Sequence, residues 1–377
     1  MARYAFVFGK NWQLSLAELL SYFQHHGIGW GFVDLSKKAL MVDLEALRKD
    51  MVHELGGTLR IVRIEKEFTA DQIPHIDFGG GVDDYLSVHG SYNIVKVARK
   101  VFNRIPKDAM LSTADLAKKD IREVNIVYGL KKLYYGPTVQ FSDPFYYKEL
   151  DLKKPVTRPE LGISPSRAQI LLNLAHSEEN VLDPFCGIGT IGIMGFGKVD
   201  RIYLSDNDKN IVKDARRNME WVKKRTNASA TAKTKFETKP IDARVLHEAF
   251  PENSMQSVAT EPDLGPKMRF RPDKSDAQKI LSYLHHTYQK FFQNVHKIMK
   301  PGALVAIVFP AINSKAGKVF MNKKYEGFRF TDLYDGIPQH YRDELKLHKN
   351  FVLDEEREKG KSRVTIREFA VYRVKKH

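Results

Sequence analysis

The run Val181-Leu-Asp-Pro-Phe-Cys-Gly-Ile-Gly-Thr190 constrains this chain more than any other segment, because an apolar strand there passes into a glycine turn that opens a helix. Glycine at 187 and 189 lets backbone N–H groups approach a ligand closely, and the helix start adds partial positive charge. The spacing Gly187-x-Gly189-x-x-Gly192 also satisfies the dinucleotide fingerprint, so a nicotinamide oxidoreductase is one reading. Asp183 separates the alternatives. A carboxylate at the strand end repels a pyrophosphate but suits the cationic methionine moiety of S-adenosylmethionine.

Two further acids stand at the ends of the next strands. Leu204-Ser-Asp-Asn-Asp208 puts Asp206 where a carboxylate accepts hydrogen bonds from ribose hydroxyls, and Ile241-Asp-Ala243 offers Asp242 to an adenine amino group. The expected donor-binding set is Asp183, Pro184, Phe185, Gly187, Gly189, Thr190, Asp206, Asn207, Asp242, Ala243 and Glu261. Helix N-capping is the structural alternative for the aspartates. Cys186 reads as a small packed residue rather than a nucleophile.

From about residue 161 the pattern alternates strand and helix: Asn180–Phe185, Gly189–Phe196, Arg201–Ser205, Lys209–Lys224, Glu237–Ile241, Ser257–Thr260, Ala277–Met299 and Ala303–Phe309. Such succession predicts an α/β, doubly wound, largely parallel sheet of Rossmann-like type, with Val364–Val374 as an antiparallel partner. Residues 1–66 read as an α+β unit: strand Tyr4–Phe8, helix Ser15–His25, a strand region Trp30–Val42, a helix near Leu47–Leu55 and strand Leu59–Ile64. Residues 67–140 form a second unit, with strands at Tyr92–Val97, Val124–Tyr128 and Leu133–Val139 and a basic helical pattern at Ala114–Arg122. Residues 141–160, rich in proline, tyrosine and mixed charge, read as a linker.

The formal net charge of +15 in 377 residues favours a polyanionic partner, nucleic acid before a membrane face. Lys118, Lys119 and Arg122 make the second unit the natural RNA platform. One cysteine excludes an intramolecular disulfide and any Cys-based zinc site, which suits a reducing compartment. The pairs His25-His26 and His285-His286 lack ligand spacing, so no metal is expected. No signal-peptide layout opens the chain and no apolar run is long enough to span a bilayer, so the expectation is a cytoplasmic protein without membrane attachment.

The fourth strand of the Rossmann-like half ends in Thr260-Glu-Pro-Asp-Leu-Gly-Pro266, beside the donor methyl group in such a sheet. Glu261 can accept an N–H hydrogen bond, the backbone oxygen of Pro262 can accept another, Asp263 adds a second carboxylate, and Leu264 stands where an aromatic would stack a base. These four are the candidate catalytic residues. A turn built by proline and glycine for structural reasons is the alternative. Just downstream, Lys267, Arg269, Phe270 and Arg271 combine cations with one aromatic, a pattern suited to phosphate contacts and base stacking.

With these residues in hand, nearly the whole chain resembles the THUMP-domain tRNA guanosine-N2 methyltransferase family that acts on guanosine 10. The matching segments are Phe8-Gly-Lys-Asn-Trp-Gln-Leu-Ser-Leu-Ala-Glu-Leu19, Leu55-Gly-Gly-Thr-Leu-Arg60, Gly136-Pro-Thr-Val139, Ser142-Asp-Pro144, Arg158-Pro159, Pro165-Ser-Arg-Ala168, Leu172-Asn-Leu-Ala175 and Asp183–Thr190. The resemblance implies a ferredoxin-like part over 1–66, a THUMP-type RNA-binding part over 67–140 and a methyltransferase over 161–377 that modifies the guanine amino group of tRNA. Some members of the family also use a small zinc-binding activator subunit. The fourth motif departs from the family's usual Asp-Pro-Pro-Tyr. A tRNA-binding protein that keeps the fold but has lost catalysis is therefore the second reading, and the oxidoreductase the third.

Overall fold

Residues 1–69, 72, 85–89, 123–158, 162–226, 233–355, 357–358, 361–362 and 364–376 are described in this computed structural model, and helices and strands are numbered over them. The expected strand Tyr92–Val97 and helix Ala114–Arg122 lie outside the described residues, as do Lys118, Lys119, Arg122 and Pro159. The chain divides into one unit of Met1–Lys148 with Tyr334–Leu347 and another of Glu149–Leu333 with His348–His377.

In the first unit, apolar β1 (Ala2–Phe8) is followed by α1 (Trp12–His25), whose start is capped by the Asn11 side chain accepting from Leu14 N. Then come β2 (Trp30–Leu35), β3 (Ala39–Leu44), β4 (Thr58–Arg63), β5 (Lys66–Phe68), β6 (Tyr85–His89), β7 (Glu123–Tyr128) and β8 (Leu133–Phe141). The single strand region expected at Trp30–Val42 is thus an antiparallel hairpin, broken at Ser36–Lys38. The helix expected near Leu47–Leu55 shrinks to one 3-10 turn, Met51–Glu54, held on β8 by Val52 N donating to Gln140. Strand order β2-β3-β1-β4, all antiparallel, is a ferredoxin-like arrangement, and the sheet runs on through β8, β7 and β6. The two N-terminal parts separated in the sequence therefore share one sheet.

The second unit holds α2 (Pro144–Lys153, which begins in the first unit), α3 (Pro165–Leu174), β9 (Asn180–Asp183), α4 (Thr190–Gly195), β10 (Arg201–Asp206), α5 (Lys209–Thr226), β11 (Lys235–Pro240) and β12 (Met255–Thr260). These are followed by α6 (Lys274–Ile298), β13 (Met299–Ser314), β14 (Gly317–Phe320) and β15 (Phe328–Phe330). After the excursion carrying α7 (Gln339–Glu344) come β16 (Val352–Asp354), the short pair β17 (Arg357–Glu358) and β18 (Lys361–Ser362), and β19 (Thr365–Val374). The order is β11-β10-β9-β12-β13-β19-β15: the first five strands run parallel and β19 lies antiparallel to β13 and β15. That is the doubly wound α/β sheet with an antiparallel partner near its edge that the residue pattern predicts. Aromatic residues of α6, Tyr288, Phe291 and Phe292, bury themselves against Val305, Phe309 and Tyr372 of the sheet. The stretch 141–160, expected as a linker, contains the ten-residue helix α2.

One departure concerns residues 334–347, which the sequence assigns to the C-terminal half. They pack within the first unit, where the Tyr341 hydroxyl donates to Asp34 Oδ1 at 2.7 Å and Arg342 Nη2 donates to Tyr334 O. Asp34 is fully buried on β2 and also accepts from the amides of Leu35, Leu130, Lys131 and Lys132 and from the Tyr134 hydroxyl. A buried carboxylate satisfied by six donors holds its neighbours in place without a counter-ion. Among the described residues no helix is long and apolar enough to cross a membrane.

Candidate active site

Strand order reverses between β9 and β12, since β10 and β11 continue on one side and β13 on the other. In open α/β sheets that reversal leaves a crevice at the carboxyl ends of the strands, where ligands bind. Asp183 ends β9, Asp206 ends β10, and Thr260 ends β12 with Glu261 next. The sheet thus brings together acids that lie up to 78 residues apart.

Asp183 is 2% exposed. It accepts from the Thr260 hydroxyl at 2.6 Å and from Phe185 N at 3.3 Å, and among the described residues no lysine or arginine pairs with it. Burial pushes its carboxyl up to about 7, with the nearby charges of Asp206 and Glu261 adding to the rise and the two hydrogen bonds opposing it. Half-buried Asp206 is raised by the same desolvation, while the amides of Gly187 and Asp208 donate to it at 3.2 Å each. The turn between them holds Gly187 at φ 50 and Gly189 at φ 82, a left-handed backbone that side-chain-bearing residues adopt at a cost. Gly189 caps α4, and Thr190 begins it. Buried Cys186 lies in this turn, and desolvation, with Asp183 and Asp206 nearby, pushes its thiol well above the usual range; it is packed and neutral.

This donor set fits the sulfonium and amino group of S-adenosylmethionine. Asp183 is a buried acid lacking a cation, and the hydroxyls of Thr190, at the start of α4, and Ser205, on the adjacent strand, are buried without a hydrogen-bond partner. A cationic ligand would supply the charge that Asp183 lacks. Of the other expected donor-binding residues, Pro184 is buried, Phe185 packs edge-on against Phe291 with ring centroids 5.4 Å apart, and Asn207 is exposed.

Asp242 lies two residues past the end of β11, and its carboxylate is engaged: Arg244 Nε reaches both oxygens at 3.0 Å and Arg244 N donates at 2.8 Å. The guanidinium hydrogen bond holds this carboxyl below its usual range. Ala243 turns into the core with Leu246 and Leu281.

The fourth motif is organised by a residue the sequence did not single out. Arg367 of β19 meets Glu261 with two hydrogen bonds, Nε to Oε2 at 2.7 Å and Nη2 to Oε1 at 3.1 Å, and both side chains are about 15% exposed. Each carboxylate oxygen keeps a lone pair for another donor. The partner is 106 residues away, and one arginine in the alternating strand Thr365–Val374 carries no local mark of this role. Likewise Thr260 gives no signal beyond its place before Glu261. Asp263 is exposed and accepts from Gly265 N at 2.9 Å, and its backbone oxygen accepts from the Tyr288 hydroxyl at 3.1 Å. Pro262 is buried and Leu264 half-buried. Lys267, Arg269, Phe270 and Arg271 are all exposed, Phe270 by 84%.

Removing one half of a buried ion pair leaves an uncompensated charge. Arg367→Met is therefore expected to destabilise the protein by about 3 kcal/mol, and the double variant Arg367→Met/Glu261→Gln to recover most of that loss in urea unfolding. Equal stability of the single variant and the parent would show that the pair contributes nothing.

No family model matches the chain. A curated relative, the tRNA (guanine(10)-N2)-dimethyltransferase of Pyrococcus abyssi, is 25% identical over 193 residues, covering 49% of this chain and 50% of that protein. The chain thus matches about half the length of this relative. Among solved structures, TrmN from Thermus thermophilus aligns with a TM-score of 0.51 and 17% identity over 99% of this chain and 100% of that one. That likeness establishes a shared fold.

Proposed function

We propose that this chain is an S-adenosylmethionine-dependent tRNA methyltransferase acting on the exocyclic N2 amine of a guanosine, with guanosine 10 as the position. The observation that carries the reading is the buried, uncompensated Asp183 at the switch point of the sheet, joined to the end of β12 through Thr260. The name of the Pyrococcus relative, a tRNA guanine-N2 enzyme, supports the substrate, as does the net charge of +15.

When bound, the donor supplies a methyl group on a sulfonium centre. Asp183 meets its positive methionine end, Asp206 accepts from ribose hydroxyls while ordering the Gly187 amide, and the glycine turn admits the ligand against backbone. Arg367 fixes the Glu261 carboxylate, whose remaining lone pairs accept an N–H of the target amine together with the backbone oxygen of Pro262. The guanine amine is a poor nucleophile because its lone pair is delocalised, so the protein's contribution is alignment and hydrogen bonding. Exposed Phe270 offers the aromatic face absent at Leu264, and Lys267, Arg269 and Arg271 meet phosphates.

Labelled donor and unmodified tRNA, with and without a small zinc-binding activator subunit, test this by nucleoside mass spectrometry. The expected product is N2-methylated guanosine. A second reading, a tRNA-binding protein without catalysis, is favoured by the occupation of Glu261 by Arg367 and by the missing aromatic; it predicts tRNA binding with no methyl incorporation in either condition. Tighter binding of a nicotinamide dinucleotide than of S-adenosylmethionine in calorimetry would overturn both.

A further inference from the structure

Helix α5 buries Val212, Ala215, Met219 and Val222, a stripe at helical spacing, against the sheet. Its remaining surface is strongly cationic, with seven lysines and arginines against two acids over Lys209–Thr226. A solvated charged face explains such a composition until Trp221 is considered. This indole, only partly exposed, lines a groove of about 780 Å³ together with Pro155 and Val156 of the preceding connection and, from the helix, four cations, Lys213, Arg216, Arg217 and Lys224, against one acid, Glu220.

The groove is built rather than incidental. Asn218 is fully buried; its Nδ2 donates to Val156 O at 3.1 Å and Ile188 O at 2.9 Å, and its Oδ1 accepts from Val156 N at 2.9 Å. One side chain therefore clamps the groove wall by both of its backbone groups and ties it to the glycine turn. Arg225, paired with Glu149 at 2.6 Å, lies over the Trp221 ring at 5.8 Å. Among the described residues Lys213 and Lys224 have no acidic partner, and Arg217, 73% exposed, has only Asp214 at 3.9 Å. The three cations stand along one helical stripe spanning about 16 Å at the α-helical rise.

We propose that this groove is an RNA-binding surface, in which Lys213, Arg217 and Lys224 contact successive phosphates and Trp221 takes a base or ribose. Cations that follow a backbone, interleaved with an aromatic that accepts any base, are what sequence-tolerant RNA binding requires. Each nucleotide supplies both a phosphate for a cation and a base plane for the indole, whereas an acidic protein surface would have to bring carboxylates and a planar side chain together at matching positions. The proposal rests on the reading of tRNA as substrate and adds the place where its strand is held, apart from the loop at Lys267–Arg271.

The test compares the full chain with Lys213→Glu/Arg217→Glu/Lys224→Glu and with Trp221→Ala, measuring unmodified tRNA affinity by fluorescence anisotropy across salt and donor affinity by calorimetry. For the triple variant, affinity should fall at least about tenfold, and the slope of log affinity against log salt should shrink by about two, because each lost phosphate contact removes about 0.7–0.9. Trp221→Ala should weaken binding about tenfold with the slope unchanged. Unaltered affinity and slope in the triple variant, with wild-type RNA binding intact, overturn this proposal alone; a wild-type protein that binds donor but no RNA overturns the tRNA reading and this proposal with it. If the triple variant loses donor binding too, Lys213→Gln and Lys224→Gln carry the test, and unchanged slopes in both overturn the proposal. Competition by poly-glutamate as effective per charge as oligouridylate, with Trp221→Ala silent, reassigns the groove to acidic proteins and likewise overturns it.

Discussion

Asp183→Asn is expected to give a protein more stable than the parent without ligand, yet unable to bind S-adenosylmethionine. The parent carboxyl sits at about 7, against an ordinary value of 3.8, chiefly because burial penalises its charge. Between those values the folded state holds a proton that the unfolded chain has released, so stability falls as pH rises through the window and the full cost stands above pH 7. A rise of that size corresponds to about 4 kcal/mol. Asparagine keeps the acceptor oxygen used by Thr260 and Phe185 and carries no charge, so it removes that cost. Urea unfolding at pH 8 should show a gain of about 2–4 kcal/mol, and the gain should narrow at pH 5, where the parent is already protonated. Calorimetry should show donor affinity reduced by more than about a hundredfold, since a cation entering a buried site has lost its counter-charge. In the parent, donor affinity should weaken as pH drops below about 7. An asparagine variant that binds donor like the parent would remove the basis of the proposed function.

Asp34→Ala is expected to unfold the first unit. Four amides and two tyrosine hydroxyls converge on this fully buried carboxylate. Each buried donor left unmatched costs about 1–3 kcal/mol, so six of them together cost about 6–18 kcal/mol, as much as the whole stability of an ordinary domain. Alanine also opens a cavity, whereas asparagine fills the space but turns two donors toward donors. Space at the carboxylate is filled on its other side as well: a Cβ at Gly129 would lie 2.2 Å from Asp34 Oδ2, so Gly129→Ala should act in the same direction. Tyr341→Phe removes a single donor and should cost only about 1–2 kcal/mol. Limited proteolysis should cut the Asp34→Ala protein throughout the first unit while leaving Tyr341→Phe resistant; a resistant Asp34→Ala protein would refute the account.

Much of the C-terminal half is legible because its signals are local. The glycines at 187 and 189 mark a left-handed turn wherever they occur between a strand and a helix, and the apolar spacing of Lys209–Thr226 or Lys274–Ile298 specifies which helix face is buried. An acid at the end of each early strand is readable for the same reason, since strand ends are marked by the turn residues that follow. Short-range alternatives misled the reading in the first unit, where the turn at Ser36–Lys38 split one expected strand and a stretch near Leu47–Leu55 kept only one helical turn. Arg244, two residues from Asp242, shows that even proximity in sequence does not disclose an ion pair before rotamers are fixed.

By itself, then, the sequence determined the strand and helix succession, the glycine turn and the acids that crown it, because these depend on backbone preference and apolar spacing over a few residues. Only the tertiary structure decided which groups those acids meet: Thr260 on Asp183, Arg367 on Glu261 across 106 residues, and Tyr341 on Asp34 across 307. It also drew residues 334–347 into the first unit. Burial and pairing depend on the surroundings a side chain finds after the sheets assemble, and those surroundings come from segments far apart along the chain.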